Sequence, residues 1–196
     1  MTGRTPLSPA PEVLEFLETR RSRSARTLGP TAPDRATLER LIACAARSPD
    51  HGKLAPWRFV VLGPAMRASL ATAARAHGAR RGMSEADAEK AAAQFGHGGA
   101  VVAVVSSPRP SAKIPVWEQE LSAGAVCLAL LNAALAAGWG ANWLTGPFAR
   151  DPDFLAQTLS FGDGEFVAGF LHIGEETVVP TERDRPDTAA ITDWRD

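Results

Sequence analysis

The chain has 196 residues, 45% of them apolar and 22% charged, with a formal net charge of −1 at neutral pH. This suits one domain with a full core, and the near-neutral balance excludes a general electrostatic pull toward nucleic acid or an acidic membrane. Cys44 and Cys127 have no CxxC spacing and are expected to be buried free thiols, in keeping with a reducing compartment.

The opening MTGRTPLSPAPEV has no apolar core of secretory length, so the expected location is the cytoplasm. Val13, Leu14 and Leu17 recur at helical spacing and predict a short amphipathic helix over 11–20. After the Gly/Pro loop RTLGPTAPD, Asp34 is a good N-cap for a helix over 35–48 that buries Leu38, Leu41, Ile42 and Ala45. Pro49 closes that helix, and the turn SPDHGKLAP leads into a strand from Arg58 to Leu62.

Two Ala-rich helices follow, 64–82 and 84–96, the second with Ser84 as cap and Asp87 in a capping box. Polar on one side, they read as a cover more than as core. AVVAVVSSP (100–108) is the near-continuous apolar run of a strand buried on both faces. The longest predicted helix, 115–138, is apolar nearly all round in its second half and is expected to be central. Its small residues Ala123, Gly124 and Ala125 would let another helix approach closely. GANWLTG (140–146) predicts a strand, DPDFLAQTLSF (151–161) a helix and FVAGFLHIGEE (166–176) a buried strand, ahead of a Pro/Arg/Asp-rich tail. The expected fold is a single α+β domain over 1–196, a central mixed β-sheet flanked by helices.

Several chemistries drop out. GWGANW (138–143) lacks the third glycine of a dinucleotide fingerprint and precedes a strand instead of opening a helix. There is no P-loop, HExxH or GxSxG, and the four histidines have no ligand spacing, so no metal site is expected. What remains is a set of cationic turns. Arg20, Arg21 and Ser22 place two guanidiniums and a hydroxyl where they can clamp a phosphate, or simply form a charged helix end. Around SPDHGKLAPWR, the groups Arg47, His51, Lys53 and Arg58 crowd a short turn whose Pro49 and Gly52 force an irregular backbone. Its free amides and His51 can face a ligand, and an ordinary charged surface fits as well. NWLTG offers an amide, an aromatic ring and a hydroxyl, or an ordinary strand end. Glu118 and Glu120 are two apart on a helix, face different directions and make no acid–base pair.

Taken in order, RRS, SPDHGKLAPWRF, PVWEQELSAGAV, GANWLTG and VAGFLHIGEE resemble the nitroreductase family of flavoproteins, and within it the compact YdjA-like subgroup. The resemblance runs from about Leu14 to Gly174 and is weakest through 64–99 and the tail. It implies an FMN-binding homodimer of nitroreductase-like fold with two active sites at the subunit interface, and the small-residue face of helix 115–138 as a two-fold contact. By position, Arg20, Arg21 and Ser22 would hold the FMN phosphate and ribityl chain, with Arg183 and Arg185 completing the phosphate site. Arg47 and His51 would face the flavin, and Trp143, Leu144 and Thr145 would lie along its ring or ribityl chain. There is one departure: where many members read N-x-Q-P-W, this chain has KLAPW, so Lys53 stands in place of an amide that touches the ring.

The implied activity passes hydride from NAD(P)H through FMN to nitroaromatic or quinone-type acceptors by a ping-pong mechanism, with no catalytic side chain. A reductive dehalogenase or desaturase of the same fold, or a non-catalytic flavin-binding module, are the alternatives. Segment 64–99 would be a lid, and 177–196 a tail embracing the partner subunit. No nucleic-acid or membrane partner is expected.

Overall fold

A computed structural model describes residues 7–195. Its elements run α1 (Pro11–Thr19), α2 (Arg35–Ala45), β1 (Trp57–Leu62), α3 (Pro64–Arg80), α4 (Glu85–Ala93), β2 (Ala100–Ser106), α5 (Val116–Ala136), β3 (Gly140–Leu144), α6 (Pro152–Leu159) and β4 (Phe166–Gly174). Helix starts follow local chemistry. Asp34 accepts the Thr37 amide at 2.8 Å, Ser84 Oγ that of Asp87 at 3.1 Å and Asp151 that of Phe154 at 2.9 Å. The Asp87 carboxylate accepts the Ser84 hydroxyl at 2.7 Å, where a capping box would have it accept a backbone amide.

The four strands lie in the order β1-β2-β4-β3, and every pairing is antiparallel. The expected mixed sheet is therefore corrected to an antiparallel one. The crossover through α5 does return β3 in the direction of β2, but β4 inserts between them and runs against both. All seven residues of β2 are buried. Their period of two sends Val101, Ala103 and Val105 to one cluster with Leu70, Ala74, Phe95 and Phe154. Val102 and Val104 join Leu41, Ala45, Val126 and Leu130 on the other face. Each fully buried Val or Leu contributes roughly 1.5–3 kcal/mol.

The segment read as a cover is also core, because α3 and α4 bury Leu70, Ala74, Ala91 and Ala92 against the sheet. Cys127 is buried, and its burial pushes the thiol up to about 12, so it is inert. Cys44 corrects the other thiol expectation: it lies on the exposed side of α2. Helix α5 is long and apolar enough to cross a membrane by length and composition alone. Val126, Cys127, Leu130 and Ala134 pack it under the sheet, while Trp117, Leu121 and Leu128 stay exposed, so it is central on one side only.

Arg58 does not join the cationic turn. Its guanidinium donates to both oxygens of Glu165 at 2.8 Å, tying β1 to the approach of β4. That bidentate bond first, then the Ser107 hydroxyl and the Gly162 amide, hold the Glu165 carboxyl down to about 2 against the opposing effect of burial. A carboxylate depressed from an ordinary 4.5 contributes stability that is complete above that pH and is lost as pH falls through about 2. Urea midpoints measured across this window should fall less steeply for Glu165→Gln than for the parent; parallel curves would remove the pair from the acid response.

Candidate functional site

Three pieces of the chain carry the expected site residues. The first leaves the end of α1 and runs along the free edge of β3. The Arg23 amide donates to Ala141 O at 2.8 Å, and the Asn142 side-chain amide donates to Arg23 O at 2.6 Å. This anchoring aims Arg20, Arg21 and Ser22 into a cavity of about 200 Å³ that Leu131, Arg183 and Arg185 also line. The C-terminal tail reaches it through the Leu28–Glu176 bridge and through bonds from Arg23 to Glu176 and from Arg21 to Thr181 O.

Electrostatically, this cavity asks for an anion. Burial first, then Arg185, Arg183, Arg21 and Arg23, hold the Arg20 guanidinium below its usual value. Arg20 Nη2 donates to Ser22 Oγ at 3.2 Å, while its buried Nε has no partner among the described residues. Among the described residues, Glu182 lies 3.3 Å from Arg21 and 2.9 Å from Arg185 and is largely exposed, and Glu176 is engaged by Arg23. A phosphate dianion fits the donor set, since fork-shaped guanidiniums and a hydroxyl match its oxygens.

The second piece is the end of β3. Trp143, Leu144 and Thr145 line a larger cavity of about 600 Å³. Trp143 Nε1 donates to Ala168 O at 3.1 Å, and the ring lies across β4 because Gly169 leaves room: a Cβ there would sit 2.2 Å from Nε1. Opposite stand Lys90 and Gln94 from the α4 side, His97 from the loop before β2, and Ser24 and Arg26 from the loop after α1. Gly146, at φ +73°, closes on Gln94, whose Nε2 would lie 2.4 Å from an added Cβ. Sequence reasoning missed Arg26, Lys90, Gln94 and His97. The QFGHGG run ending α4 was the available signal, a glycine-rich turn carrying two polar side chains.

The third piece is the turn after α2, with Arg47, His51 and Lys53 all exposed. Gly52, Lys53 and Ala55 have φ of +72°, +55° and +46°, a strained run for two non-glycine residues. Its amides are less free than expected, because Asp50 accepts from Leu54 and Ala55 at 3.2 and 2.7 Å. The turn is strapped to α5: Ser122 Oγ donates to Pro49 O at 2.7 Å and accepts from Trp57 Nε1 at 3.1 Å. His51 Nδ1 lies 2.6 Å from Glu118 Oε1, and Glu120 pairs instead with Arg150. Arg47, His51 and Lys53 line neither of the two cavities. One chain thus brings Arg20, Arg21, Ser22, Arg183 and Arg185 together, sets Trp143, Leu144 and Thr145 in the second cavity, and leaves the turn apart from both.

The model of the nitroreductase family matches residues 17–175. The chain belongs to the nitroreductase family. Within that family it is 29% identical over 163 residues to YdjA of Escherichia coli K12, a protein that carries the name of an NAD(P)H nitroreductase, covering 83% of this chain and 87% of the relative. Among solved nitroreductase folds, a nitroreductase-like protein from Bacillus cereus superimposes with a TM-score of 0.76 at 22% identity, over 98% of this chain and 99% of that one. A Bacteroides fragilis nitroreductase solved with bound FMN superimposes with a TM-score of 0.67 at 19% identity, over 94% and 99%. The nitroreductase-like α+β fold therefore holds across the described residues.

Proposed function

We propose that this nitroreductase binds FMN across the two cavities and works as an NAD(P)H-dependent oxidoreductase on small aromatic acceptors, in a homodimer. The observation that carries the reading is the guanidinium cluster around a phosphate-sized cavity, with a buried Arg20 Nε that none of the described residues satisfies. Arg20, Arg21, Ser22, Arg183 and Arg185 would hold the phosphate. Trp143, Leu144 and Thr145 would lie along the planar end, in a cavity where the charges of Arg26 and Lys90 outweigh that of Asp87. Bound there, FMN supplies the hydride transfer between NAD(P)H and a nitroaromatic or quinone that no side chain here can perform.

The protein's task is then binding and orientation. Donor and acceptor use the larger cavity in turn, which gives ping-pong kinetics. Arg47, His51 and Lys53 complete the site from the partner subunit, and the tail beyond residue 177 embraces that partner. Apolar side chains left uncovered in one chain support the dimer: Val13, Leu14 and Leu17 on α1, and Trp117, Leu121 and Leu128 on α5. An exposed free Cys44 suits the reducing cytoplasm.

The test is the visible spectrum of the purified protein, followed anaerobically with NADH and with NADPH and then with a quinone. A yellow protein that bleaches with one nucleotide and recovers its colour with quinone is the expected result. A colourless protein that ignores added FMN would end the proposal, and a yellow one that never bleaches would make it a binding module.

A further inference from the structure

Arg67 lies on α3, outside both cavities and outside every motif of the sequence. It is 9% exposed, and among the described residues no carboxylate pairs with it. Among the described residues, every bond its guanidinium makes goes to the main chain of one short segment. Nε donates to Phe95 O at 2.7 Å and Nη1 to Gly99 O at 3.0 Å. Nη2 donates to His97 O at 3.1 Å and to Gly98 O at 3.0 Å.

The segment is the turn that carries the chain from α4 into β2. It passes through Gly98 at φ +72° and presses Gly99 so closely on the loop after α1 that a Cβ there would lie 2.3 Å from Thr31 O. His97 O also accepts from His172 Nδ1 at 3.2 Å, which pins the turn from β4. On its other side the turn presents Gln94 and His97 to the larger cavity. A buried cation without a counter-charge is expensive, and the carbonyl dipoles offset only part of its desolvation. A neutral donor could tie these carbonyls at lower cost. What a guanidinium adds is a fixed positive charge behind the cavity wall, where solvent screens it little. The His97 imidazole registers that charge: burial, then Arg26 and Arg67, hold it below its usual value.

We propose that Arg67 is a positioning residue of the flavin site, fixing the His97–Gly99 turn against the larger cavity and supplying buried positive charge that favours the reduced ring. Uptake of hydride from NAD(P)H adds two electrons and one proton, so the ring gains one negative charge, and the nicotinamide that gave the hydride leaves oxidised. The inference rests on the FMN reading above.

Arg67→Met and Arg67→Lys separate fork from charge. Three quantities are compared with the parent: amide hydrogen exchange at His97 and Gly99 without flavin, the FMN dissociation constant, and the flavin midpoint potential. For Arg67→Met, faster exchange, a dissociation constant raised about tenfold or more and a lowered midpoint are expected. Arg67→Lys should restore the midpoint while exchange stays fast and FMN binding stays weakened. An Arg67→Met protein that folds with the parent's dissociation constant and midpoint overturns the proposal. If Arg67→Met does not fold, Arg67→Lys decides: unaltered FMN binding, or a midpoint lowered with the charge retained, overturns it. A parent protein that binds no FMN ends the underlying reading instead, and exchange at His97 and Gly99 then still decides the positioning half.

Discussion

Arg20→Ala is expected to fold at least as well as the parent and to leave purification colourless, with FMN affinity lowered about a hundredfold. Both halves come from the same crowding. In the free chain, Arg20 is surrounded by Arg185, Arg183, Arg21 and Arg23, and among the described residues its guanidinium bonds only Ser22 Oγ, at 3.2 Å. Removing it relieves like-charge repulsion and breaks no ion pair. With a phosphate in place, the same group makes charge-assisted bonds worth about 1.5–3 kcal/mol each, and losing two of them exceeds a hundredfold in binding. Thermal melting without flavin and fluorescence titration with FMN should therefore move in opposite senses. A variant that is destabilised but binds FMN normally would make Arg20 a structural residue and the cluster a charged helix end.

How much of this was legible depended on whether a residue's surroundings lie near it in sequence. The seven apolar residues of β2 announce burial on both faces, because alternation fails only when each face has a cover. Strand order does not show in that way: β4 inserts between β2 and β3 by long-range pairing that leaves no local mark. Cys44 was misjudged because an apolar helical context does not say which face turns outward. The Arg20–Ser22 clamp was readable from its residue types, but only the family pattern tied it to Arg183 and Arg185, about 160 residues away. In the Asp50 turn, the carboxylate takes two amides that the backbone irregularity had seemed to free. Arg67 left no trace, since a charged residue in an Ala-rich helix reads as solvated until its four carbonyl partners are seen.

Leu121→Asp is expected to split the protein into monomers and to remove FMN with them, although Leu121 lines neither of the two cavities. Trp117, Leu121, Gly124 and Leu128 follow one another at steps of four, three and four, a single stripe along α5. The three large side chains are 62%, 65% and 46% exposed, and beyond the helix's own backbone no described residue comes within 4 Å of a Cβ added at Gly124, so another helix can come close. In a two-fold contact the substitution counts twice, and each unpaired buried carboxylate costs about 3–5 kcal/mol. The flavin loss follows from where the turn sits. Glu118 and Ser122, on the same half of α5, hold His51 and Pro49, so a contact along the stripe carries Arg47, His51 and Lys53 toward the other chain. Sedimentation and FMN titration of Leu121→Asp, with Leu121→Met as the apolar control, test both steps. A monomer that keeps the parent's FMN affinity would confine the whole site to one chain and leave the exposed turn without a part in it. A dimer that survives the carboxylate would move the two-fold contact off α5.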